Sequence, residues 1–364
     1  MADKKPSILH INTEKTFRGG EIQTLEIAKR LYKRGFPTLI LANEMGELIK
    51  RAEKENLPTI GFNPKGELDL FSALKIRKIV KGNKIDIVTC HTSMALGIVY
   101  LSKIKKSGVK IVGIRRVSFP LKSKKSLLKY KNGDKIVAVS EVIGKSLFDE
   151  GVPAEKITVI HSGFDIKKFE NLPDPHLIKE RLGVSKNFPV IGVVGALAHH
   201  KGHRTLIKAL ERVWIVYPTL IAIFVGEGDA KKDLERSTAS KAIPTLFTGF
   251  VENVAPIYRS FDIFVLPSSS GEGSPAVIKE AAASEVPVVA TNVGGVDEIL
   301  RHNIDALLVP PSDPDKLSKA ILFLCEDKEA REALKINAKQ RVKSFDFEFV
   351  ADAYEKLYSD LLKR

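Results

Sequence analysis

Cysteine is scarce in this 364-residue chain: Cys90 and Cys325 stand far apart, each in an apolar stretch. No disulfide framework can hold the fold, and a reducing, cytoplasmic setting is expected. Aromatic residues make up only 7%, which leaves few surfaces for stacking bases. No helix-turn-helix or zinc spacing is present, so nucleic acid is not expected as a partner. No apolar run approaches the roughly 18 residues of a membrane span. The opening Met1-Ala2-Asp3-Lys4-Lys5 runs into a strand-like segment without a secretory core. A Walker-type Gly-Lys-Ser/Thr loop, short repeats and low-complexity tracts are also missing.

What is present reads as globular, with 44% hydrophobic and 28% charged residues. The length suggests two domains at about 100–200 residues each. Lys and Arg number 58 against 44 Asp and Glu, a net charge of +14, which favours acidic partners. The charge is uneven: from Lys103 to Lys131 there are eleven Lys/Arg and no Asp/Glu.

Short Val/Ile-rich runs at 7–12, 38–42, 59–62, 85–91, 110–114 and 136–139 alternate with helical patterns at 21–34, 48–55, 70–81, 94–106 and 141–150. Near-continuous apolar strands suit a parallel sheet covered on both faces. Asn171-Leu-Pro-Asp-Pro-His176 breaks the pattern. The alternation then restarts, with strands at 190–194, 220–226, 245–248, 263–266, 288–290 and 306–309. Helices at 204–216, 230–240 and 275–284 lie among them, and those at 315–325, 328–343 and 347–362 close the chain. Two doubly wound α/β domains are expected. Ligands of such sheets sit beyond the strands' carboxyl ends, so the expected site is a cleft between the domains. Glycine turns fall at those ends: Gly19-Gly20, Gly195, Gly226-Glu-Gly228, Gly271-Glu-Gly273 and Gly294-Gly295.

The most informative segment is Ser268–Gly295. A Ser/Gly loop leads into a helix with Ser274 expected as N-cap and Pro275 as first helical residue. The first-turn amides of that helix suit a phosphate. Glu272 lies in the loop, and Glu280 lies five residues past Pro275, about 7.5 Å along the axis. A carboxylate only accepts hydrogen bonds, which suits the paired hydroxyls of ribose or a hexose.

This segment resembles the nucleotide-sugar motif of the retaining glycosyltransferases of family 4, which have the GT-B fold. The shared pattern is Glu, seven residues, Glu, a small-residue helix, Pro-Val-Val-Ala-Thr and a Gly-Gly turn. The similarity runs from Gly19-Gly20-Glu21 to Leu307-Leu-Val-Pro310. It implies an α/β GT-B architecture, two Rossmann-like domains facing across a cleft. Residues 1–168 would bind the acceptor, with helix 347–364 packing back on them, and 169–346 would bind the nucleotide sugar.

The resemblance also implies roles. Glu272 would hold hydroxyls of the donor sugar and Glu280 the nucleotide ribose. Gly273, Ser274 and Pro275 would wrap the sugar and diphosphate, and Gly19 and Gly20 would form the N-terminal glycine loop. In Val194-Gly-Ala-Leu-Ala-His-His-Lys-Gly202, Gly195 forms the turn and Lys201 matches the family's diphosphate lysine. Ala196 stands where an Arg is usual, and His199 or His200 is the candidate to compensate. His91, ending a strand, is a candidate acceptor contact. Arg115-Arg116 stand where relatives often carry a further His; Arg cannot act as a base but binds anions.

The expected activity is retaining transfer from a UDP-, GDP- or ADP-sugar, without metal or other cofactor. The catalytic candidates are Lys201 and Glu272. The opening residues and the Ala-Leu-Ala-His-His-Lys-Gly-His turn are similar to those of bacterial enzymes that extend lipopolysaccharide or other lipid-linked glycans. An acceptor glycan or glycolipid is therefore expected, at the inner face of the cell membrane. In 103–131, Phe119, Leu121, Leu127 and Leu128 interleave with Lys122, Lys124, Lys125 and Lys129, which suggests contact with an anionic membrane surface. Asp313-Pro-Asp315 has the shape of a metal–nucleotide site but reads as a helix start. The alternatives are a nucleotide-sugar 2-epimerase and a non-catalytic nucleotide-sugar-binding protein.

Overall fold

The structure, a computed structural model, describes residues 5–121 and 123–363. Met1–Lys4, read above for a leader, and Lys122 lie outside the described residues, as do the side chains of Lys124 and Lys125. The chain forms two compact units. One comprises 1–163 and 347–364; the other comprises 164–346.

The first unit is a seven-stranded parallel sheet of β1 (Ile8–Asn12), β2 (Thr38–Asn43), β3 (Thr59–Phe62), β4 (Ile87–Cys90), β5 (Lys110–Arg115), β6 (Lys135–Ala138) and β7 (Ile157–Val159), in the order 3-2-1-4-5-6-7. Its central strands are sealed on both faces, as their sequences require: β1 and β4 are buried throughout and β5 for most of its length. The helices Gly19–Lys33 and Glu47–Lys54 pack together, as do Leu70–Gly82, Ser93–Ser102 and Lys124–Asn132. The last helix, Phe347–Leu362, packs on Gly19–Lys33. Tyr358 Oη and Thr89 Oγ1 on β4 share a 2.8 Å hydrogen bond.

The second unit is a six-stranded parallel sheet of β8 (Val190–Val194), β9 (Ile221–Val225), β10 (Thr245–Gly249), β11 (Ile263–Leu266), β12 (Val288–Thr291) and β13 (Leu307–Val309), in the order 10-9-8-11-12-13. Both units are Rossmann-like, and each reverses strand order once, between β1 and β4 and between β8 and β11.

Several elements escaped the pattern reading, among them the four-residue helices Ala255–Tyr258 and Val296–Ile299. β7 has only three residues. Helix Lys124–Asn132 lies in the lysine-rich stretch, where apolar spacing is diluted. Helix Pro175–Arg181 starts inside the Pro-rich break, with Asp174 accepting from the His176 amide at 2.8 Å and Pro175 in the first turn. Among the described residues, no helix is long and apolar enough to cross a membrane.

Candidate functional site

In the second unit the strand order reverses between β8 and β11, and open α/β sheets bind ligands beyond the strand ends at that point. The loops leaving β8, β11 and β12 are interlocked there by backbone. Gly202 has φ +67°, and a Cβ on it would fall 1.8 Å from the Pro267 carbonyl oxygen. Gly294 has φ +58°, and its Cβ would fall 1.7 Å from the Glu272 carbonyl oxygen. Only glycine fits either position. The Ser269 amide and hydroxyl both donate to the His200 carbonyl at 2.9 Å, and Thr291 Oγ1 donates to the Ser268 carbonyl.

This frame delivers Lys201 Nζ to Glu272 Oε1 at 2.7 Å. Lys201 ends the short turn His199–Lys201 after β8, and Glu272 is buried in the loop after β11. Ser268 Oγ donates to the same carboxylate oxygen. Gly195 opens the β8 loop with its amide on the Val225 carbonyl at 3.0 Å. Ala196, in the place of an expected Arg, is exposed, as are His199 and His200.

Ser274 does not cap the following helix. The helix spans Ala276–Ala283 with Pro275 as N-cap, and no described side chain caps its first-turn amides. The Ser274 hydroxyl is instead taken by the Lys279 ammonium at 3.0 Å. Further along, Glu280 Oε2 accepts from the Tyr258 hydroxyl at 2.8 Å. Burial raises the Glu280 carboxyl's pKa, while Tyr258, Lys279 and Lys168 oppose the shift.

Sequence reasoning missed Lys279 and His203. Lys279 is wholly buried, lies 5.1 Å from the Phe345 ring centroid and has its pKa lowered by burial to about 7. Nothing in a sequence marks a buried lysine. His203 shares a 3.2 Å hydrogen bond with the Ala196 carbonyl, which assigns its proton to Nε2 and ties the β8 loop to the helix His203–Val216. Burial lowers its pKa to about 4.

In the first unit, a polar row crosses the other reversal point. Arg116 Nη2 lies 3.3 Å from His91 Nδ1, and His91 Nε2 lies 2.9 Å from His10 Nδ1. Arginine only donates, so His91 carries its proton on Nε2 and passes it toward His10, whose own proton is on Nε2. That His10 nitrogen is buried with no described partner. Burial lowers the His10 pKa to about 3; it also lowers that of His91, to which His10 and Arg116 add.

Arg115 closes β5 and is held on the Phe119 carbonyl and, at 3.4 Å, the Tyr130 hydroxyl. Arg116 is therefore the residue that reaches His91. Its Cδ would lie 3.9 Å from a Cβ on Gly20, at the start of helix Gly19–Lys33. There Glu21 accepts from the Arg18 amide at 2.9 Å and from Asn12 Nδ2 at 3.3 Å, and Gly19 begins the helix.

Two of the described lysines of 103–131 are committed to neighbours. Lys105 pairs with Asp134, and Lys129 is buried on Glu67 and Ser93. Asp313 caps the helix Pro314–Glu326 through the amides of Asp315 and Lys316. Among the described residues, no three His, Cys, Asp or Glu side chains gather as metal ligands. A cavity of about 520 Å3 in the second unit is lined by Arg259, Glu285 and Lys339. It lies at the amino-terminal edge of β12 and is lined by none of Lys201, Glu272, Ser274 and Glu280, so chemistry rather than volume locates the site.

Two Rossmann-like parallel sheets of this kind make up the GT-B class of glycosyltransferases. The pattern of the Glycosyl transferases group 1 matches residues 176–341, and that of Glycosyltransferase Family 4 matches 17–168. The chain belongs to the family 4, GT-B glycosyltransferases and is an enzyme that transfers a glycosyl group from a nucleotide sugar.

The chain is 24% identical to an Escherichia coli UDP-Gal:alpha-D-GlcNAc-diphosphoundecaprenol alpha-1,3-galactosyltransferase, over 98% of both chains. It is 29% identical to an uncharacterized glycosyltransferase of Methanocaldococcus jannaschii, over 80% of each. Its fold matches Anabaena HepE in complex with UDP at a TM-score of 0.88 and 23% identity, covering 97% of this chain and 100% of HepE. A Rickettsia africae glycosyltransferase matches at 0.89 and 24%, covering 99% of each.

Proposed function

We propose that this enzyme transfers a sugar from a UDP-sugar, with retention of anomeric configuration, to a hydroxyl of a lipid-linked glycan at the inner face of the cell membrane. The observation that carries the donor half is the Lys201–Glu272 pair across the β8–β11 reversal. Complexes of HepE with UDP and with UDP-glucose support uridine as the base. The E. coli relative, named for a diphosphoundecaprenol-linked acceptor, supports the lipid. Acceptors of that kind agree with lipopolysaccharide or related cell-envelope synthesis.

In this reading the diphosphate sits over the Ala276–Ile278 amides. Lys201 keeps two N–H groups beyond the one on Glu272, and these face the β-phosphate as the bond breaks. Fixed donors aimed at developing charge are the largest available source of rate. Glu272, held by Lys201 and Ser268, orients the sugar hydroxyls through its remaining lone pairs rather than attacking. Glu280, steadied by Tyr258, takes the ribose. The bond from the anomeric carbon to the phosphate oxygen breaks while the acceptor oxygen bonds to the same face. The acceptor's proton passes to the departing phosphate. No metal or cofactor enters this scheme.

The test is incubation with UDP-, GDP- and ADP-sugars and a diphosphate-linked lipid glycan, followed by NMR of the product. A new α-linkage from an α-linked UDP-sugar agrees with the proposal. An inverted linkage refutes retention, and donor epimerised without acceptor refutes transfer.

A further inference from the structure

A surface of the first unit outside the lysine-rich stretch 103–131 combines exposed apolar side chains with cations. That surface lies just before and along the helix Leu70–Gly82. Leu68, Leu70, Phe71 and Leu74 are 78, 65, 88 and 64% exposed. Single exposed apolar residues are ordinary, but four large ones within seven positions form a patch that water disfavours. The buried side of the same helix (Ala73, Ile76, Ile79 and Val80) already faces the core, so the outer residues are not needed to seat it.

Charge surrounds the patch. Arg77, Lys78 and Lys81 follow at helical spacing from Leu70, Phe71 and Leu74, and all three are exposed. The two neighbouring carboxylates are occupied. Glu67 is taken by the buried Lys129 ammonium, and Asp69 accepts from the Ser72 and Lys65 amides as N-cap. Asp69 keeps its negative charge, but Arg77, Lys78 and Lys81 outnumber it, so the charge around the patch is net positive.

The patch is also tied to the polar row of the first unit. Glu67 accepts from Ser93 Oγ at 3.4 Å, and Lys129 Nζ donates to the Ser93 carbonyl at 3.1 Å. Ser93 opens the helix that follows His91. These bonds tie the loop before the apolar ridge to the start of the helix that follows His91.

We propose that Leu68, Leu70, Phe71 and Leu74 insert into an anionic lipid surface while Arg77, Lys78 and Lys81 bind its headgroups. The surface would then present a membrane-borne acceptor directly to the His91–Arg116 edge. Apolar side chains rimmed by cations are the chemistry of interfacial binding, and neither half suffices alone. The purpose given to the surface rests on the lipid-linked acceptor proposed above; the ridge and its charge do not.

The test is co-sedimentation with vesicles of phosphatidylcholine alone and of equal parts phosphatidylcholine and phosphatidylglycerol. The wild type is expected on the anionic vesicles and largely off the neutral ones. Phe71→Ser with Leu74→Ser should weaken binding about tenfold or more. Ile215→Ser, at an exposed position of the second unit, should change nothing. Indifference to lipid charge, or wild-type binding by the double variant, overturns the proposal. So does a dimer that the double variant dissociates without loss of vesicle binding. Transfer to a short-chain, water-soluble acceptor is measured alongside. A wild type that transfers to this acceptor but ignores the vesicles sinks only this surface, whereas a wild type that binds the vesicles but does not transfer sinks the acceptor reading.

Discussion

Lys201 and Glu272 are 71 residues apart in sequence and close a 2.7 Å ion pair between loops that leave neighbouring strands. Neither stands at that place by its own preference. The Gly202–Pro267 and Gly294–Glu272 backbone approaches fix both loops, and the carboxylate then aligns the ammonium.

Removing either member is expected to lower kcat more than it raises KM. Lys201→Met should cost about 100- to 1,000-fold in kcat. Glu272→Gln should cost less, since the amide still accepts a hydrogen bond. Because the pair acts as a unit, the double variant should fall short of the product of the two losses. Steady-state kinetics of all four proteins check this, and simple multiplicativity would refute it.

Gly294→Ala is expected to be destabilising by at least about 2 kcal/mol, since it combines left-handed strain with a backbone collision. Gly183→Ala is the control. Its φ is also positive, at +71°, but no atom lies within 4 Å of the new Cβ, so only about 1 kcal/mol of strain applies. Urea denaturation of both variants measures the difference. Equal losses would show that the loop interlock is slack.

Acid should weaken the first unit through its histidines. The folded pKa of His10 is about 3 and that of His91 is also lowered, against 6.5 for a free imidazole. Unfolded histidines therefore bind protons first as pH falls below about 6.5. Each then subtracts up to about 1.4 kcal/mol per pH unit until its folded pKa is reached. His10→Gln should flatten the acid limb of a Tm-against-pH curve between pH 6.5 and 4. An unchanged limb would contradict the buried, neutral pair.

Lys279 acts in the opposite pH range. Its folded pKa is about 7, against 10.5 when free. Between these values the unfolded chain binds the extra proton, so this residue's contribution to stability rises with pH from about 7 to 10.5. Lys279→Met should remove that rise. Because Lys279 holds Ser274, the same variant should also raise KM for the donor. Wild-type slope and KM in the variant would refute both roles.

The sheets were legible because parallel strands covered on both faces must be apolar runs, as Val190–Val194 and Ile263–Leu266 are. The glycine loops were legible because close backbone approach leaves no room for a side chain. Other features were not. Arg115 and Arg116 are the same residue type side by side, and only strand geometry sends one to Tyr130 and the other to His91. His10 reads as one more residue of a buried strand. Ser274-Pro275 has the composition of a helix start, yet Lys279 claims the serine hydroxyl and shifts the cap by one residue. A lysine at full burial breaks the rule that would have found it.

Calorimetric titration of a panel of UDP-, GDP- and ADP-sugars tests the central claim most directly, with wild type, Lys201→Ala and Glu280→Ala compared. The account predicts binding of a UDP-sugar by the wild type and marked weakening in both variants: the first through lost contact with the diphosphate, the second through lost contact with the ribose. Wild-type affinity in both variants, or no nucleotide sugar bound by any of the three proteins, would contradict it.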